Sequence, residues 1–298
     1  MSMRVTQRSI VYGSTANLQD SLARSQRVQE KLTSGKEISR PSDNPTDVHT
    51  ALDYRATIRR ADQLKRNADD GLAMLGTADT ALTDTSNVIK RARDLAVQGA
   101  NATLNSRDRE AIALEIDQLR QQAISLANTA YQGRPLFSGT AAPAAGGDTA
   151  YTAAGVYNGN SGAVMRSVAP GESVQVNLIG TDVFGPTGND LFTTLATLAN
   201  DLRTSPASVG TADLGAIDTA FTRVTTALAT VGARVNRVES IRTQTETTQS
   251  QQADRLNAIE AIDIPKTIME LQLQQTAYQA ALAATAKVIQ PSLMDFLR

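Results

Sequence analysis

Ile217, Phe221, Val224, Leu228, Val231, Val235 and Val238 follow one another at steps of four and three residues, seven apolar seam positions without an error. An α-helix that buries one stripe against another helix satisfies a repeat averaging 3.5 residues; a strand, with its period of two, does not. The chain therefore has to form a long helix with a helical neighbour. Continued in register, the seam reaches Leu256 and Ile259, but Arg242, Thr245, Gln249 and Gln252 stand between. Polar residues there weaken the packing or face a neighbouring molecule.

A similar stripe lies upstream. Leu75, Leu82, Ile89 and Ala96 recur every seven residues, with Ala68 and Leu72 on the same face; Asp79 interrupts the seam and is expected at a solvated edge. Asn105 and Ser106 can cap a further helix with the stripe Ile112, Ile116, Leu119, Ala123, Leu126 and Ala130, ending near Gly133 and Pro135. From 137 to 190 Gly, Ala, Thr and Ser dominate, "YNGNSG" offers an Asn-Gly turn, and Val174, Val176 and Leu178 alternate with polar neighbours. The expected fold is mainly α: long antiparallel helices forming a coiled-coil-like rod from both chain ends, with a small β-rich insertion in the middle. A chain of 298 residues has room for more than one domain.

The two ends are alike. Val11, Leu18, Leu22 and Leu32 form a helical stripe that runs into the turn-rich "LTSGKEISRPSDNPT" of residues 32–46. A last helix steps through Ile268, Leu271, Gln275, Tyr278, Leu282, Thr285 and Ile289 after a second hinge at 261–266, where Pro265 breaks or kinks the chain. It is uncharged from Leu271 to Ala286, which suits a helix packed on several sides; in a membrane its Gln residues and Glu270 would be costly. Terminal helices of this kind order on binding, or pair within the chain as an ordinary bundle. The first reading makes them assembly elements.

Catalytic chemistry has little to draw on. There is no cysteine, hence no disulfide, thiolate metal site or Cys nucleophile. His49, the one histidine, has Asp43, Asp47 and Asp53 nearby, so any metal or acid–base site would centre there. A helix starting at Asn44-Pro45, with Asp47 in its first turn, already accounts for most of these residues. No GxSxG elbow occurs, Gly35-Lys36 is followed by Glu37 rather than Ser or Thr, and the Asn101-Ala-Thr103 sequon carries no assigned role. We expect no enzyme, no cofactor and no metal. Twenty-nine basic against thirty acidic residues, without long runs of either sign, leave no footprint for nucleic acid or an anionic membrane. The start "MSMRVTQRSIVYG" lacks the apolar core of a cleaved signal peptide.

Leu32, Thr33, Ser34, Gly35, Ile38 and Asp43 resemble the loop that joins the N-terminal helix to the rod domain in the flagellin family. "ANTAYQGRPLFSGT" at 127–140 is similar to that family's exit from the rod helix. "SRPSDNP" at 39–45 and the final "QPSLMDFLR" are more similar to the family's adaptor between hook and filament than to filament flagellin. Pro265-Lys266 departs from the acidic, helix-compatible residues more usual there.

The resemblance implies a structural component of the bacterial flagellum with nested domains. Residues 1–40 and 264–298 would form an inner tube, 41–136 and 190–263 a helical rod, and 137–189 an outward-projecting insertion. It implies export through the flagellar type III apparatus without a cleaved signal, to an extracellular position at the hook–filament junction. Expected partners are copies of the chain in a ring, the other hook-associated junction protein, flagellin and an export chaperone, with no nucleic acid and no membrane insertion. Subunit contacts are expected at Lys36, Glu37, Arg40 and Asp43 of the connector. On the terminal helices they are expected at Val11, Leu18, Leu22, Leu32, Ile268, Leu271, Tyr278, Leu282 and Ile289. The alternatives are filament flagellin itself, or an enzyme or metal protein around Asp43, Asp47 and His49.

Overall fold

The computed structural model describes residues 7–296 apart from 39, 41, 43, 102 and 142–148, with side chains described between 12 and 286. The elements run α1 (Gln7–Ser34), α2 (Pro45–Gly99), α3 (Ser106–Ala127), β1 (Ala130–Tyr131), β2 (Arg134–Pro135), β3 (Met165–Ala169), β4 (Glu172–Gln175), α4 (Gly180–Phe184), α5 (Leu191–Thr204), α6 (Pro206–Ser208), a π-helical turn (Val209–Asp213), α7 (Leu214–Glu260) and α8 (Ile264–Phe296). This is the mainly helical chain with a small β insertion that the periodicity demands. It falls into two compact units, 60–248 and 1–59 with 249–298.

Within 60–248 the two heptad stripes are the core. Leu75, Leu82, Ile89 and Ala96 of α2 are buried, as are Ile217, Val224, Val231 and Val238 of α7, while Asp79 is exposed. Lys65 pairs with Glu246 at 2.8 Å, Asp69 with Arg242 at 3.3 Å and Arg93 with Asp218 at 2.7 Å. Four residues along α2 from Lys65 to Asp69 match four back along α7, and the 24 from Asp69 to Arg93 match the 24 from Arg242 to Asp218. Helices α2 and α7 are thus antiparallel and hold one register throughout, as a heptad seam requires. Each fully buried Leu or Ile of the seam contributes about 1.5–3 kcal/mol.

Asn105 caps α3 as expected, its Oδ1 accepting from the Asp108 N–H at 2.8 Å. The helix stops at Ala127, earlier than the Gly133-Pro135 signal suggests. Asn128 donates to the Tyr151 carbonyl and accepts the Tyr151 N–H, so its side chain binds the loop in place of a further turn. Gly133 instead serves a two-residue hairpin between β1 and β2, in which Gln132 and Gly133 both have positive φ, 49° and 78°. That is the backbone twist short hairpins favour.

The insertion shares its core with the helices. Val174 lies in the β3–β4 hairpin, and it, Val176 and Leu178 are buried as their alternation predicts. Tyr151 and Phe184 meet Phe192 of α5 and Phe137 meets Phe184, with Tyr151–Phe192 centroids 4.9 Å apart and Phe137–Phe184 5.2 Å apart, both edge-on. All four belong to one cluster with the α2 and α7 seams. Gly155, at φ +89°, comes so close to Phe192 that a Cβ would lie 2.8 Å from the Phe192 Cβ.

In the other unit α1 and α8 pack together. Leu18, Ser21, Ser25, Val28 and Leu32 turn inward on α1, and Thr267, Leu271, Gln274, Tyr278, Ala281 and Thr285 on α8. Four of these positions are Ser or Thr and one is Ala, side chains small enough for close helix approach.

Candidate assembly site

The connector begins where α1 ends on Gly35, whose φ of +67° suits glycine and whose N–H bonds the Lys31 carbonyl at 2.9 Å. Beyond it the chain meets the second hinge. Lys36 forms an antiparallel bridge with Ala261, the Glu37 N–H bonds the Glu260 carbonyl at 2.8 Å, and the Ile262 N–H reaches the Gly35 carbonyl at 3.4 Å. The two turn-rich segments that looked independent in the sequence are stitched to each other.

Glu260, the last residue of α7, is the centre of this stitch. Its carboxylate, about 10% exposed, meets Arg55 at 2.7 Å and Lys36 at 3.2 Å. Burial pushes the Glu260 carboxyl up, but the bonds from Arg55 and Lys36 outweigh it and hold it below the usual glutamate range. A carboxyl lowered on folding contributes stability in full above its ordinary value of 4.5, and that stability is lost as pH falls through the folded value. Glu260→Gln should therefore destabilise this unit by about 1–2 kcal/mol at neutral pH, allowing for the exposure of Lys36 and Arg55. The difference from wild type should shrink as pH falls below 4.5 and through the folded value, and melts followed by circular dichroism at pH 7 and pH 3 measure it. An unchanged difference at pH 3 would mean the carboxylate is not the source.

The other connector residues are also engaged. Glu37 pairs with Lys31, and Arg40 with Glu30 at 3.0 Å. Asp43 lies outside the described residues. Lys36, Ile38, Arg40, Val48, Ala51, Leu52, Arg55 and Glu260 line a cleft of about 370 Å³. At its edge Asn44 starts α2, its Oδ1 accepting the Asp47 N–H at 3.3 Å while its amide bonds the Asp47 carboxylate. Asp47 thus meets the capping side chain and not the cap backbone. His49 and Asp53 make a 3.1 Å contact on the open face of α2, 81% and 70% exposed.

On the terminal helices the residues expected at subunit contacts divide into two sets. Leu18, Leu32, Leu271 and Tyr278 are half-buried and lie on the inward faces; Leu22, Ile268 and Leu282 are 42%, 41% and 44% exposed. The sequence stripe places Ile268, Gln275 and Leu282 on the seam, whereas the inward stripe of α8 runs through Thr267, Gln274 and Ala281, one residue earlier. The larger side chains are left facing out, joined by Tyr12, Ile264, Met269 and Leu273. Val11 and Ile289 lie outside the described side chains. Among the described residues no helix is long and apolar enough to cross a membrane.

Terminal helices packed together with apolar residues left outside in one unit, and long helices held in fixed register in the other, are the build of a structural assembly protein. Residues 11–142 match the bacterial flagellin N-terminal helical region and residues 214–297 the bacterial flagellin C-terminal helical region, so the chain belongs to the flagellin family. It is 27% identical to flagellin of Bacillus subtilis over 97% of both chains. In fold it is similar to a protein of Vibrio parahaemolyticus assigned to the flagellar hook-associated class, with a TM-score of 0.67 at 23% identity over 74% of this chain and all of the other. It is also similar to hook-associated protein 3 of Legionella pneumophila, with a TM-score of 0.60 at 17% identity over 69% of this chain and 98% of that one. The chain is a structural component of the flagellum, in a family that is not one of enzymes and whose members self-assemble.

Proposed function

We propose that the chain is the adaptor at the hook–filament junction, joined to its neighbours by the open apolar residues of its terminal helices. The observation that carries this reading is the exposure of Leu22, Ile268, Met269, Leu273 and Leu282 beside a helix pair that is closed on its other side. Large apolar side chains grouped on one helix mark a surface that another protein covers. Residues 1–40 and 264–298 act as the inner-tube domain, 41–136 and 190–263 as the rod, and 137–189 as the outward insertion. The ends are exported unfolded through the type III apparatus, then pair with each other and with neighbours, so that folding is coupled to binding.

Two features favour junction over filament: the "SRPSDNP" and "QPSLMDFLR" segments, and a fold like that of hook-associated proteins over nearly the whole of their solved chains. Partners in this reading are copies of the chain in a ring, a second hook-associated protein on the hook side, flagellin on the other, and a chaperone before export. Lys36, Glu37, Arg40 and Asp43 lie at the subunit boundary, where the ion pairs made within the chain shape the contact surface.

Deleting the gene separates the readings. Electron microscopy should show hooks without filaments, and flagellin should accumulate in the culture medium. Bare hooks with no flagellin in the medium would identify the chain as the filament subunit, and normal filaments would dispose of both roles.

A further inference from the structure

The seam between α2 and α7 changes its chemistry at one end. From Ile217 to Val238 its inward positions are apolar and buried or half-buried. At the next two, Arg242 and Thr245 are half-buried, in the register that sets Arg242 beside Asp69 of α2. The Thr245 hydroxyl donates back to the Ile241 carbonyl of its own helix at 2.9 Å, and so gives nothing to the partner helix. Arg242 reaches Asp69 at 3.3 Å, yet its Nε is buried with no acceptor among the described residues. Lys65–Glu246, at 2.8 Å, is a second ion pair between the two helices here, and the four side chains of these two pairs are 38–47% exposed.

We infer that residues 60–69 and 241–248 form a salt-sensitive clasp, an end of the helix pair held by two ion pairs in place of an apolar seam, which opens locally while the rest of the core stays closed. An apolar seam keeps its strength in salt, whereas exposed ion pairs contribute little and are screened. The half-paired guanidinium lowers the cost of opening further, because solvent supplies the bonds that its Nε lacks in the closed form. The unit's compact core ends at the same place, at 60 and 248. The polar positions of α7 are thus a built-in opening segment within the chain.

Hydrogen exchange followed by mass spectrometry on the full chain tests this. Peptides covering 241–248 should exchange at least tenfold faster than those covering 224–238. Raising sodium chloride from 50 mM to 1 M should speed the first set a further roughly two- to tenfold, the range that one or two exposed ion pairs provide, and leave the second unchanged. Arg242→Leu combined with Thr245→Ile should remove both the excess exchange and its salt dependence. Thr245→Val, which adds no bulk, should slow exchange part of the way if the double variant does not fold. Equal protection of the two regions, or fast exchange at 241–248 that ignores salt, would overturn the clasp.

Discussion

Ile268→Asp together with Leu282→Asp is expected to remove the protein from assembled flagella and abolish swimming, while its isolated chain melts as wild type does. Both side chains are more than 40% exposed, so within the chain the change lies in the range of surface substitutions. Against a neighbour the arithmetic reverses. Covering the exposed part of each side chain contributes about 1 kcal/mol to an interface, and each Asp would bring an unpaired charge into an apolar contact at a cost of several kcal/mol more. Two such sites together are worth a loss of well over a hundredfold in affinity. Immunoblots of purified hooks and filaments, beside thermal melts of the purified chain, separate the two effects. Wild-type amounts in the hook fraction would show that the open face is not the contact, and an early melt that the residues serve the fold.

Phe192→Ala carries the largest expected effect on folding. The ring is about 1% exposed and meets Tyr151 and Phe184, so its loss removes two contacts of the aromatic cluster and leaves a cavity; such truncations cost about 3–5 kcal/mol. Against a total of about 5–15 kcal/mol for a domain, that is a large share. Because the same cluster continues into Leu75, Ile89 and Val224, the rod helices and the insertion should lose stability together in one transition. Urea titrations read by circular dichroism and by tyrosine fluorescence should shift by the same amount. If only the fluorescence transition moves, residues 137–189 fold as a module of their own.

How far these features could be read from the residues depended on side-chain size. The heptads of α2 and α7 were plain because Leu, Ile and Val mark the seam at every step. On α8 the stripe holds at Leu271, Tyr278 and Thr285 and shifts by one residue between them, since Thr267, Gln274 and Ala281 go inward by virtue of small size or flexible stems while Ile268, Gln275 and Leu282 stay out. Apolar periodicity finds the stickiest face, and in a chain built to meet neighbours that need not be the face closed within the monomer. Helix α5 escaped notice, although Asp190 caps it by accepting from the Thr193 N–H at 2.8 Å; its pattern sat beside a Gly- and Thr-rich stretch that reads as loop. Glu260 gave one unread signal. A carboxylate in the last turn of a helix opposes the helix dipole, so a compensating cation was to be looked for. The stitch between the two hinges rests on backbone hydrogen bonds, which side-chain patterns do not report.

The fixed register of α2 and α7 has a mechanical meaning. Between Asp69–Arg242 and Arg93–Asp218 the helices run side by side for 24 residues, about 36 Å, without slipping by even one position. For one to slide past the other, every knob in the seam would have to leave its hole at once, and the charged pairs at both ends would have to find new partners. Such a pair bears tension and torque as a strut. Between those pairs the buried seam resists sliding, so an axial push on one helix is passed to the other.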